Sequence, residues 1–178
     1  MFNLYEYLLT VYQDVEVLQK IYRASGIADI EEMLSDLRNN PSCCLMVRDG
    51  GDGRFDLRDR RLNTAYHTFW VFTRAKVNDN DSRLAAKRLS MAVGIRLIDR
   101  MRADALEFSA PAYGLNDESI DYTEIGPIGQ NYYGYSFNFL VSSSVPKYVP
   151  PPVYPDGTYL IDADDNAIND DSNTHLIE

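Results

Sequence analysis

Residues 63–76 carry bulky side chains on both faces of what reads as one extended strand. Side chains alternate across a strand, so Tyr66, Thr68, Trp70 and Phe72 share one face. Ala65, His67, Phe69 and Val71 share the other. A strand that is apolar on both sides is stable only inside a sheet covered on each face, by a helix or by another subunit. That requirement excludes an all-helical bundle. It makes a layered α+β domain the expected fold.

The neighbouring segments supply the layers. Leu4, Leu8, Val11, Val15, Leu18 and Tyr22 recur at helical spacing, so one amphipathic helix is expected over about residues 2–24, with Gly26 as its stop. A shorter helix follows, with Asp29 and Glu32 as a capping box and Asn39-Asn40-Pro41 as its end. Cys43–Val47 reads as a strand. Asp49-Gly50-Gly51-Asp52-Gly53 is a hairpin turn by composition, with a short strand returning over 54–57. Asp81 or Ser82 is a candidate N-cap for a helix reaching about residue 106. Its expected buried stripe is Leu84, Met91, Ile95, Ile98, Met101 and Ala105, with Leu89, Ala92, Val93 and Leu97 beside it and a basic polar face. A strand over 119–125, a turn at Gly126–Gly129 and an alternating aromatic strand from Tyr133 to Val141 close the domain.

Composition changes after Ser142. Pro146, Pro150-Pro151-Pro152 and Pro155 mark an extended linker, and an acidic tail or arm follows. The expected organisation is an assembly domain over 1–145, then linker and tail over 146–178. The net charge of −10 is unevenly placed. Residues 1–104 hold 16 Lys/Arg against 15 Asp/Glu, whereas residues 105–178 hold one Lys against 12 Asp/Glu. The C-terminal part is therefore a poor polyanion binder, because phosphate contacts require Lys and Arg.

The start of the chain has no basic leader and is interrupted by Glu6, Gln13, Asp14 and Glu16, unlike a signal peptide. No segment is apolar for the ~18 residues of a membrane span. Cys43 and Cys44 are adjacent and point to opposite faces of a strand, so free thiols in a reducing cytoplasm are expected.

The search for chemistry finds no constellation. His67 lies within the aromatic strand and His175 in the tail, and neither sits in a nucleophile motif. The glycine loop lacks the Lys-Ser/Thr ending of a phosphate cradle. Two adjacent Cys and two distant His do not make a zinc site. Asp162, Asp164 and Asn166 imitate the start of a calcium loop, but Ala167 replaces its turn glycine and Asn173 its bidentate Glu. The expectation is a non-enzyme without cofactors. Its candidate interaction residues are Arg58, Arg60 and Arg61, together with Arg83, Lys87, Arg96 and Arg100 on the polar face of the long helix.

The opening helix Leu4–Tyr22, the strand Ala65–Phe72, the helix Ser82–Ala105 and the closing strand Gly134–Val141 together resemble the tail-terminator and tail-completion proteins of long-tailed bacteriophages. The resemblance covers about residues 1–145 and rests on the order of elements. It implies helices packed on a curved, mostly antiparallel sheet. It also implies a non-enzymatic ring, in that family a hexamer, that caps the tail tube and meets the head-completion proteins. The location would be the bacterial host cytoplasm and then the virion. The competing reading is a nucleic-acid-binding accessory protein of a mobile element that uses the arginines named above.

Overall fold

The computed structural model describes residues 2–25, 33, 35–37, 41–48, 52–56, 62–107, 112, 114–129 and 131–144, without the side chains of 117–119. The chain divides into two compact units, Met1–Val145 and Pro146–Glu178, and every element below belongs to the first. The fold is α+β. Its elements are α1 (Leu4–Val11), β1 (Lys20–Ala24), β2 (Cys43–Arg48), β3 (Gly53–Asp56), β4 (Leu62–Arg74), α2 (Asn80–Ala105), β5 (Leu115–Ile128) and β6 (Tyr132–Ser144). Six strands form one sheet in the order β1-β2-β4-β6-β5, with β3 also paired to β4. Among the described residues β1 and β2 pair parallel and the other pairs are antiparallel.

The expected helix over 2–24 is corrected. Asn3 caps α1 through Oδ1, which accepts from the Glu6 N–H at 3.1 Å, but the helix ends at Val11 and passes through a 3₁₀ turn, Tyr12–Asp14. Residues 20–24 are a strand instead. The six stripe residues are all buried, so the core assignment holds while the conformation differs. The step from Leu18 to Tyr22 fits either a helix or a strand, since four residues is an even number as well as about one helical turn. Val15, Val17, Ile21 and Tyr22 then tip the choice, being β-branched or aromatic.

β2 and β3 do not form the expected hairpin with each other. Cys43–Val47 pairs with Thr73–Phe69, and Gly53–Asp56 then pairs with Ala65–Leu62 along the same edge of β4. Both strands are antiparallel to β4, so they run in one direction. A hairpin would have left half of one edge of this long strand without backbone partners. The expected capping-box helix falls mostly outside the described residues, although Met33 and Leu37 are buried.

The sheet has two unequal layers. On one face Cys43, Leu45, Val47, Phe69, Val71, Phe137, Phe139 and Val141 meet α1 and α2 in the main core. On the other, Tyr22, Cys44, Met46, Phe72 and Tyr132 pack with Met33 and Leu37. The Tyr132 hydroxyl holds that cover in place by donating to the Pro41 carbonyl at 2.7 Å, with the Leu37 carbonyl 3.3 Å away. The cover is partial: Phe72 is fully buried, but Tyr66, further along the same face of β4, is 58% exposed. Around Tyr66 the face is polar, with the Thr68 hydroxyl donating to Asn138 Oδ1 at 2.8 Å and Thr64 Oγ1 2.8 Å from Ser142 Oγ. In the closing hairpin Ile128 pairs with Tyr132, a little later than the composition suggested, and β5 is longer than expected.

Candidate interaction surface

Helix α2 begins one residue after Asp79, whose Oδ1 accepts from the Ser82 N–H at 2.9 Å; the cap is thus earlier than Asp81 or Ser82. Its buried face is the finding that matters most. Ala86, Ser90, Val93, Gly94, Leu97 and Met101 point into the core. Of the stripe expected from hydrophobicity, Met101 alone is fully buried, while Leu84 and Ile95 are each 48% exposed.

Small residues explain this rotation. A Cβ added at Gly94 would lie 2.0 Å from Phe137 Cζ, so the helix backbone rests almost on the aromatic ring. Phe137 is itself stacked on Phe69 with ring centroids 5.0 Å apart. Ser90 is fully buried beneath the helix, 2.8 Å from Thr73 Oγ1 and 3.2 Å from the Tyr133 carbonyl oxygen. Large side chains at 90 and 94 would hold this part of the helix off the sheet, so Leu84 and Ile95 face outward while Val93, Leu97 and Met101 pack into the core.

The outward stripe borders a groove of about 400 Å³ between α2 and the β5–β6 hairpin. Leu84, Met91, Ala92 and Ile95 form its apolar wall, Lys87 and Arg88 its basic rim, and Glu124 and Tyr135 its opposite side. Lys87 Nζ lies 2.5 Å from Glu124 Oε1 and 5.9 Å from the centre of the Tyr133 ring. The bond to Glu124 raises the Lys87 pKa above its ordinary value. Among the described residues the guanidinium groups of Arg83 and Arg88 make no hydrogen bond or ion pair.

The predicted basic residues do not form a single patch. Arg58, Arg60 and Arg61 lie outside the described residues. Arg96 donates to the Asp14 carbonyl at 3.3 Å. Arg100 Nε is 3.1 Å from Asp104 Oδ1, and Asp104 Oδ2 also accepts from the Tyr7 hydroxyl at 2.7 Å. Burial, followed by that bond and the carboxylate charge, pushes the Tyr7 pKa well above its ordinary value. This three-residue tie joins α1 to the end of α2. Tyr7 was missed in the sequence because the apolar stripe drew attention to Leu4 and Leu8 on either side of it.

The other chemical candidates are packing groups. His67 is 7% exposed, with Phe2 edge-on at 5.1 Å and Phe139 stacked at 6.0 Å. Burial lowers its pKa to about 4. Cys43 and Cys44 are free and buried on opposite faces; burial raises both thiol pKa values, that of Cys44 to about 12. A second concavity of about 490 Å³ lies at the start of α1. There the polar atoms of Asn3, Tyr7 and Thr10 are engaged in bonds within the chain. Among the described residues no group of three or more His, Cys, Asp or Glu is placed to hold a metal ion, and no helix is long and apolar enough to cross a membrane.

No family model, curated protein or solved structure matches the chain.

Proposed function

We propose that this protein is a structural assembly protein, a phage or prophage tail terminator or completion protein that closes into a ring on the tail tube. The observation that carries the assembly reading is the outward apolar pair on α2, Leu84 and Ile95, with the partly buried Met91 between them and a charged rim beside them. The buried face of α2 is already filled by Ala86, Ser90, Val93, Gly94, Leu97 and Met101, so Leu84 and Ile95 are not left over from a poorly packed core. An exposed apolar row on an ordered helix, rimmed by charge, marks a surface made for another protein. A head-to-tail ring needs two unlike surfaces on each copy, and the near-neutral body and acidic C-terminal part supply unlike charge. The tail-terminator assignment adds the order of elements to this. A hexamer on a tube end, in a host cell and later in a virion, is what that family likeness entails.

The nucleic-acid reading gains less. Lys87, Arg96 and Arg100 are each engaged by an acid or a carbonyl of their own chain, and each such contact would compete with a phosphate.

Light scattering on the full chain after size exclusion is the test. A discrete oligomer, formed alone or on addition of tail-tube protein, is the expected outcome. Ile95→Asp is expected to weaken it at least about tenfold, because a charge would be carried into an apolar contact. A strict monomer that retards duplex DNA with a steep salt slope would overturn the assembly reading.

A further inference from the structure

The sheet ends in two open edges of opposite charge. β1 lies at one end and β5 at the other, and among the described residues neither has a strand on its outer side. An open edge turns a row of backbone N–H and C=O groups outward, where a further strand can add. β1 carries Lys20 and Arg23 and no acid. β5 carries Asp117, Glu118, Asp121 and Glu124 and neither Lys nor Arg. Asp121, Tyr122, Thr123 and Glu124 are all exposed, whichever face they point to, and the Tyr122 ring is 63% exposed.

We infer that the β5 edge of one copy pairs with the β1 edge of a second copy, so that one sheet continues into the next. This rests on the self-assembly reading and names the surfaces that meet.

Topology sets the sense of the contact. β1 runs parallel to β2, and antiparallel steps then lead from β2 to β4, to β6 and to β5. β1 and β5 therefore run in opposite directions, and a second copy set alongside without being turned over meets the first antiparallel. The faces also match. Ile21 packs against the main core and Tyr22 belongs to the smaller layer, so Lys20 shares the smaller layer's face. On β5, Ile125 packs against the smaller layer, which puts Asp121 and Thr123 on that face too. Tyr122, 6.0 Å from the Tyr135 ring, and Glu124, bonded to Lys87, lie on the helix face. Lys20 opposite Thr123 keeps every side chain on its own side of the joined sheet. Lys20 is then diagonal to Asp121, and Ile21 stands opposite Tyr122. Opposite charges and aromatic–aliphatic neighbours are the pairs that stabilise adjoining strands.

The other edges fit less well. Two β5 edges would bring Asp121 and Glu124 of both copies together, and like charges across a strand pair repel. β3 is also open among the described residues, but its Arg54 and Asp56 cancel. The β5–β1 contact reaches the α2 groove as well, because Glu124 of β5 forms part of its wall. It sets the helix side of the second copy's β1, where Arg23 lies over Tyr5, beside that groove. Each copy then offers two different edges. That is a heterologous contact, and such contacts close into rings when the rotation allows.

The test mixes two variants of the full chain, Lys20→Cys and Thr123→Cys, and oxidises them with diamide. The native thiols are buried and stay silent. The expected product is a linked pair with one chain of each, at about tenfold the yield of Lys20→Cys with Tyr122→Cys, whose thiol is on the opposite face. The double variant Lys20→Cys/Thr123→Cys should give a ladder of linked chains. Without added cysteines, Asp121→Lys should weaken association about fivefold, and Lys20→Glu in the same chain should restore it. A yield no higher than the Tyr122→Cys control overturns the proposal. So does preferential linkage of Thr123→Cys to itself or to Arg54→Cys. If light scattering still shows an oligomer in those cases, the edges fail and the assembly reading stands; a monomer throughout sinks both.

Discussion

His67 shows how a titratable residue can be structural. Its ring lies between Phe2 and Phe139, and burial holds its pKa near 4, below the 6.5 of an unfolded chain. Above pH 6.5 both states are neutral at this position and the group contributes no pH dependence. As pH falls from 6.5 toward 4 the unfolded chain takes up a proton that the folded one refuses. Stability is therefore lost across that window and no further below it. Between pH 7 and pH 5 the loss is on the order of 2 kcal/mol. Urea midpoints measured across that range should fall for the native chain and stay nearly level for His67→Phe; equal slopes would exclude His67 as the cause. The sequence showed that this histidine sits in an aromatic strand. It could not show Phe2, which is distant in sequence, closing over the ring.

At the scale of elements, the extended strands were the most legible. β2, β4 and β6 lie almost where alternation placed them, because side-chain period and burial agree in strands covered by a core. Helical periodicity served less well. In α1 it continued past the real end because the spacing of Leu18 and Tyr22 satisfies two conformations. In α2 it set the stripe to one side of the packed face, since it weights large side chains and Ala86, Ser90 and Gly94 share that face with Val93, Leu97 and Met101. The same close packing makes Gly94→Ala a sharp test. Alanine gains about 1 kcal/mol of helix propensity, but its methyl group overlaps Phe137, which Phe69 backs. Overpacking of roughly 1–3 kcal/mol outweighs that gain, so the melting temperature should drop by a few degrees. An unchanged or raised melting temperature would mean that α2 stands further from the sheet. The glycine-rich segment after β2 misled for a related reason: its composition suits a reversal, while the length of β4 asks for a second strand in line.

For the whole molecule, charge is the lever. A nearly neutral first part and a strongly acidic last part make attraction between copies depend on ionic strength, which shortens the reach of exposed charges. If acidic and basic surfaces meet between copies, raising sodium chloride from 0.05 to 0.5 M should weaken association by roughly tenfold. Stronger association at high salt would point to a purely apolar seam. The uneven charge was readable from composition. The groove beside α2 was not, because it exists only once Leu84 and Ile95 face outward.

The adjacent cysteines offer an experimental handle on this sheet. Cys43 reports on the layer roofed by α1 and α2, and Cys44 on the smaller layer beneath Met33 and Leu37. Neighbours in sequence, they act as two clocks on opposite sides of one strand. Exchange kinetics with a thiol reagent would time the opening of each roof separately. The smaller layer, held partly through the Tyr132 hydroxyl, should open first, so Cys44 should be modified ahead of Cys43 and faster still in Tyr132→Phe.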